Sequence, residues 1–76
     1  MTVHHLDARR LLCPLPVIRT QNTVKNLLPG DILDVLASDP GVMHDIPAWA
    51  RVHGHRLVSA EKIDGEFLIR LEIGET

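Results

Sequence analysis

Asp64-Gly65 separates two runs of strand-forming residues, and no other pair in the chain restricts its fold so tightly. An Asp-Gly dipeptide in that setting supplies the two positive-φ residues that a two-residue hairpin turn requires. The spacing therefore predicts strands over residues 56–63 and 66–73. In the second run Phe67, Ile69, Leu71 and Ile73 alternate with Glu66, Leu68, Arg70 and Glu72. A period of two puts the first set on one face of a sheet and the second set on the other. One face is buried and one is solvated, as in a sheet covered by helices on a single side.

The rest of the chain supplies those helices. Val17, Thr20, Val24, Leu27 and Leu28 recur at spacings of three and four, which predicts a helix over residues 15–28. Pro29-Gly30 stops it. Residues 31–38 follow, apolar on nearly both faces through Ile32, Leu33, Val35, Leu36 and Ala37, and read as a central strand. Ser38-Asp39-Pro40-Gly41 is a turn. A second helix is predicted over residues 43–53, with Val42, Ile46, Trp49, Ala50 and His53 on one face. Pro47 belongs in its first turn, because proline deeper in a helix removes a hydrogen bond, and Gly54 caps its end. Residues 3–9 form a first strand. The order is βαβαββ: an α/β (α+β) two-layer sandwich, with a mixed four-stranded sheet covered on one face by two helices.

With 76 residues the chain holds a single domain, residues 1–76. Its apolar fraction is 45% but its aromatic fraction only 3%, so the core must be built from Leu, Ile and Val. The formal charge of −2 argues against direct binding to nucleic acid, which calls for a positive field. The longest apolar run, residues 11–18, carries two prolines and falls well short of the roughly 20 residues of a membrane span. The N-terminus has no signal-peptide pattern. The expected setting is the cytoplasm, away from membranes.

Five histidines are present, but His4-His5 and the His53/His55 pair do not have the spacing of a converging ligand set, so neither a metal nor a cofactor is expected. Trp49 is assigned to packing, and Arg51 and Arg56 to solvated surface.

Cys13 is the sole cysteine, which excludes an internal disulfide and a thiolate zinc site. It opens the tetrapeptide Cys13-Pro14-Leu15-Pro16. A residue before proline is pushed out of the helical region, as an N-cap requires, and Pro14 then suits the first helical position. With Cys13 as N-cap, Pro16 has no N–H, so the Leu15 N–H is the backbone donor left for the sulfur. The helix dipole and the cations Arg9, Arg10 and Arg19 are expected to lower the thiol pKa. Asp39 and Asp45 are read first as turn and capping residues. Because both helices start at the same end of a parallel βαβ unit, Asp45 can also face the Cys13 loop. These residues alone do not separate sulfur transfer from redox sensing, or from an inert thiol.

The chain resembles the TusA (SirA-like) family of sulfur carriers along nearly its whole length. Leu6-Asp7-Ala8 and Leu12-Cys13-Pro14-Leu15-Pro16-Val17 are similar to the family's opening signature. Leu28-Pro29-Gly30-Asp31, Asp39-Pro40-Gly41, Asp45-Ile46-Pro47-Ala48-Trp49 and Gly54-His55-Arg56-Leu57 follow in the family's order. The resemblance implies the same βαβαββ sandwich. It also implies a sulfurtransferase-type carrier whose Cys13 takes sulfane sulfur as a persulfide from a cysteine desulfurase or a rhodanese-like donor. The sulfur would pass to an acceptor protein, for tRNA 2-thiouridine formation, cofactor assembly or sulfur oxidation, with the carrier a monomer. Pro14, Leu15, Pro16, Arg9, Arg10, Arg19 and Asp45 are the candidate supporting residues. Three positions depart from the family's habit. Arg10 falls where a glycine is usual, Gln21-Asn22 replaces a pair that is often lysine, and Ala50 stands where some members carry a second cysteine.

The competing reading is a single-cysteine redox or regulatory protein. It lacks a Cys-x-x-Cys pair and any resolving cysteine.

Overall fold

A computed structural model describes residues 2–74 of the chain. The elements run β1 (Val3–Ala8), α1 (Leu15–Val24), β2 (Ile32–Ala37), α2 (Val42–Val52), β3 (Arg56–Ile63) and β4 (Glu66–Glu72), the βαβαββ order that the sequence predicts. The sheet order is β1-β2-β4-β3. β1 pairs parallel with β2, while β4 pairs antiparallel with both β2 and β3. The hairpin turn sits on Asp64 and Gly65, with φ of 52° and 80°. Those are the two left-handed residues that such a turn demands.

The core is aliphatic, as the shortage of aromatics requires. Leu33 pairs with Leu71, Val35 with Ile69 and Ala37 with Phe67 across the two central strands, and all six are buried. Val24 of α1 and Val42, Ile46 and Ala50 of α2 close over them. Each fully buried Leu, Ile or Val stabilises the fold by about 1.5–3 kcal/mol, so the central strands hold a large share of the stability. The opposite face of the sheet is mixed, with Ile32, Leu36 and Leu68 half-buried among charged residues. Arg70 of β4 grips Asp34 of β2 with two hydrogen bonds, at 2.7 and 2.8 Å. This bond, together with the attraction between the two charges, outweighs burial and holds the Asp34 carboxyl below its ordinary range.

Several boundaries differ from the sequence reading. β1 ends at Ala8 rather than residue 9, because the chain turns at once through Arg10, whose φ is +68°. α1 ends at Val24, four residues short of the predicted end. Its last turn tightens, with Asn26 N–H on Thr23 O and Leu27 N–H on Val24 O, and Leu28 is left 70% exposed. Asp31 draws the chain away: its carboxylate accepts the N–H groups of Leu28 and Thr2 and lies 3.2 Å from the His4 ring. Pro16, expected only at a helix start, is buried alongside Thr20 and Val24. α2 starts one residue early, so Pro47 is its sixth residue rather than part of its first turn. Lacking an N–H, Pro47 cannot bond the carbonyl of Met43. His53 is exposed at the C-cap, not on the packed face. Trp49 is half-buried, against the rings of His53 and His55 at 5.0 and 5.2 Å.

The two ends of the sandwich differ. At one end the strand β1 feeds α1 and β2 feeds α2, so both helices begin at the carboxyl edge of the parallel pair. At the other, Gly74 N–H donates to His55 Nδ1 at 3.1 Å and packs directly on the Gly54 carbonyl, where an added Cβ would overlap that oxygen.

Candidate functional site

Cys13 lies in the loop between β1 and α1, at the end where both helices begin, and its side chain is exposed. The loop is fixed by backbone bonds. Leu15 N–H donates to Leu12 O at 2.8 Å, and Ile18 N–H donates to Pro14 O at 3.2 Å. The N-cap of α1 is Pro14, reached through a cis Cys13–Pro14 peptide bond. Cys13 is therefore not the N-cap. The Leu15 N–H, expected on the sulfur, is taken by the Leu12 carbonyl instead.

What meets Cys13 comes from the second βα junction. The Cys13 N–H donates to Asp39 Oδ2 at 2.9 Å. The Cys13 thiol donates to Asp45 Oδ2 at 3.2 Å. Asp39 follows β2, and its other carboxylate oxygen accepts the Gly41 N–H at 3.1 Å. Asp45 belongs to the first turn of α2. The two carboxylates flank Gly41: a Cβ added there would lie 3.5 Å from Asp45 Oδ2 and 3.6 Å from Asp39 Oδ1. Asp-Pro-Gly makes the tight turn that aims both at the thiol.

This environment reverses the expected electrostatics. The thiol hydrogen bond to Asp45 pushes the Cys13 pKa above its ordinary value, with partial desolvation and the negative charges of Asp45 and Asp39 acting in the same direction. Helix dipole and arginines were expected to do the opposite. None of the three arginines offsets the two carboxylates at the thiol. Arg9 donates to both carboxylate oxygens of Asp7, at 3.0 and 2.9 Å, and reaches Glu66 at 3.5 Å. Asp7 answers with a carboxyl lowered to about 2, through its side-chain and backbone bonds to Arg9. Arg10 turns the chain, its N–H on Ser38 Oγ at 2.8 Å. Arg9 and Arg10 line a shallow depression with Asp7, Ser38 and Glu66, which does not include Cys13. Arg10 and Arg19 are exposed and enter no ion pair among the described residues.

Of the candidate supporting residues, then, the structure brings Asp45 to the sulfur and places Pro14 and Leu15 beside it. Pro16 turns inward, where its carbonyl accepts from Thr20 Oγ1 at 2.8 Å. Asp39, read only as a turn residue, proves to hold the Cys13 backbone; its place in an Asp-Pro-Gly turn straight after a central strand was the available signal. Near the thiol in sequence, Leu12 (73% exposed), Leu15 (48%) and Ile18 (44%) are apolar side chains open to solvent.

Comparison with known proteins follows the same lines. The profile of the family described as Sulfurtransferase TusA matches residues 4–73. A protein named sulfur carrier protein TusA from Pseudomonas paraeruginosa is 43% identical over 63 residues, covering 83% of this chain and 80% of that one. A putative sulfur carrier protein, YrkF, of Bacillus subtilis is 40% identical over 63 residues, or 83% of this chain. The chain spans about a third of that protein's length, 34%. The crystal structure of a SirA-like protein from Desulfitobacterium hafniense superposes with a TM-score of 0.81 at 26% identity, covering 95% of this chain and 99% of that one.

Proposed function

This chain belongs to the TusA family of sulfurtransferases, and from that premise we propose that it is a sulfur carrier whose Cys13 bears sulfane sulfur as a persulfide. The observation that carries the assignment to Cys13 is its position: the only thiol of the chain stands exposed on a fixed loop, between the exposed side chains of Leu12 and Leu15 in sequence. A group that receives and surrenders one sulfur atom between proteins needs access rather than a substrate cavity.

The reaction is thiol–disulfide exchange in form. The Cys13 thiolate attacks the outer sulfur of a donor persulfide, R–S–SH. The new S–S bond forms as the donor's own S–S bond breaks, and R–S⁻ leaves. The proton given up by the Cys13 thiol ends on that leaving thiolate, so donor persulfide plus carrier thiol give carrier persulfide plus donor thiol. An acceptor thiolate then repeats the attack on Cys13–S–SH and restores Cys13. No external oxidant enters either step. The donors in keeping with this chemistry are a cysteine desulfurase or a rhodanese-like protein, and the acceptor is a second protein thiol. The sulfur would serve tRNA thiolation, cofactor assembly or sulfur oxidation, in the cytoplasm, with the carrier acting as a monomer. No helix among the described residues is long and apolar enough to cross a membrane.

A peroxide-sensing thiol fits less well. Such cysteines are exposed thiolates of lowered pKa, whereas this thiol is raised by its neighbours. The test is intact mass after incubation with inorganic tetrasulfide, or with a cysteine desulfurase and cysteine. A gain of one sulfur atom on the wild type and none on Cys13→Ser is expected. An equal gain on both, or none on either, refutes the assignment.

A further inference from the structure

We propose that Asp45 is a proton latch on the carrier: it keeps Cys13 as the thiol in the free protein, and a cationic side chain of the docking partner occupies Asp45 and releases the thiolate. The proposal rests on the sulfur-carrier reading of Cys13 and adds to it the control of when that sulfur reacts.

The geometry carries it. The Cys13 thiol reaches Asp45 Oδ2 at 3.2 Å, a contact that exists only while the sulfur keeps its proton. Losing that proton would leave two anions at hydrogen-bond distance, and Asp39, whose carboxylate lies on the Cys13 N–H, adds a third nearby charge. Asp45 from α2 and Asp39 from the β2–α2 turn are the charged groups that face the sulfur, and both are acidic. The nearest arginine in sequence, Arg10, lines a depression with Ser38 and Glu66 that does not include Cys13, and Arg9 before it is bound to Asp7 and Glu66. A nucleophile arranged in this way is restrained, yet its function requires the thiolate.

The missing charge must therefore come from outside. The surface beside the thiol says what would bring it. Leu12, Leu15 and Ile18, exposed on the Cys13 loop and the start of α1, offer apolar contacts, and Asp39 and Asp45 at the thiol offer carboxylates that pair with no cation among the described residues. A partner matched to it places an apolar patch over the three side chains and an Arg or Lys against Asp45. That cation would compete for the carboxylate oxygen now held by the thiol, and complementary charge would also steer the approach. A carrier built this way stays unreactive toward the neutral electrophiles it meets in free solution and becomes nucleophilic where its partner docks.

The test uses the whole chain and small probes. The rate of Cys13 alkylation by iodoacetamide is followed by mass spectrometry across pH for the wild type, Asp45→Asn and Glu61→Gln, which removes an exposed carboxylate on β3. Asp45→Asn should react severalfold faster at pH 7, with its profile displaced to lower pH, while Glu61→Gln follows the wild type. A profile for Asp45→Asn that coincides with the wild type overturns the latch. The role of the cation is tested with cystamine, a disulfide carrying two ammonium groups, against its neutral analogue 2-hydroxyethyl disulfide. In each case the Cys13 thiolate attacks one sulfur, the probe's S–S bond breaks and the other half leaves as a thiol. The wild type should favour cystamine severalfold more than Asp45→Asn does, and added salt should erase that preference. An equal ratio in both proteins, or a wild-type preference that salt leaves intact, overturns the cation's part. The salt experiment needs no variant to fold. Sulfur loading from inorganic tetrasulfide is measured alongside. If alkylation shows the latch but no sulfur is gained, the carrier reading fails and the latch stands; the converse result removes the latch alone.

Discussion

Replacing Arg10 by glycine should stabilise this protein, although it removes a large side chain and a charge. Arg10 has a φ of +68°, in the left-handed region where an L-residue pays about 1–2 kcal/mol for the approach of its Cβ to the backbone. Glycine escapes that cost but loses about 0.5–1 kcal/mol through the freedom of its unfolded chain. The difference leaves a gain of about 0.5–1 kcal/mol, because little else is lost. The Arg10 side chain is exposed and unpaired among the described residues, and the bond that fixes the turn is its backbone N–H on Ser38 Oγ, which glycine retains. For a domain of this size the gain corresponds to about 2–8 °C in Tm. Thermal unfolding followed by circular dichroism measures it. Arg10→Ala is the decisive companion, since it deletes the same charge and side chain while keeping a Cβ. Arg10→Gly should melt above both Arg10→Ala and the wild type. If the alanine and glycine variants melt together, or glycine melts below the wild type, backbone strain at residue 10 is refuted. Asp64, also at positive φ, should gain less from glycine, because Asp tolerates that region better than most residues.

Leu33→Ala, at the fully buried centre of β2, should cost about 3 kcal/mol in urea unfolding, and a loss under about 1 kcal/mol would mean that the core can collapse around the void. Gly74→Ala should destabilise by more than about 1 kcal/mol, since the new Cβ overlaps the Gly54 carbonyl and displaces the donor to His55; an unchanged melt would show that this end does not bear on stability. His55 supplies a pH dependence. Burial, with a smaller effect from His53, holds its pKa below the ordinary value, so the folded state resists a proton that the unfolded chain accepts. Its contribution is whole above about pH 6.5 and is lost as pH falls toward its depressed folded pKa, so Tm should drop on acidification from about pH 7 to 5, and His55→Gln should flatten that slope.

The hairpin and the period-two pattern of β4 were legible in the sequence because both are local: Asp64-Gly65 dictates its own turn, and Phe67, Ile69 and Leu71 report their face by spacing alone. The two-layer arrangement followed from them. The ends of α1 were not legible. Its periodicity continues to Leu28, but Asp31 competes for the Leu28 N–H and ends the helix early, an outcome that depends on strand β2 being in place. The state of Cys13 was hidden for the same kind of reason. Neighbours in sequence, Arg9 and Arg10, suggested a lowered pKa, while the groups that set it lie 26 and 32 residues away. Asp45 could be suspected of facing the loop from topology, but the direction of its effect required knowing that Arg9 belongs to Asp7.

The bond from the Cys13 N–H to Asp39 ties the loop through its backbone, and it does not depend on the bond that the thiol makes to Asp45. Mooring and cargo are therefore separate. The sulfur can be lengthened by one atom, emptied again, or replaced by the oxygen of a serine without releasing the anchor that presents it. An inert Cys13→Ser protein would offer partners the same face as the working carrier. Expressed beside the wild type, it would act as a decoy, occupying donors and acceptors that it can neither empty nor fill.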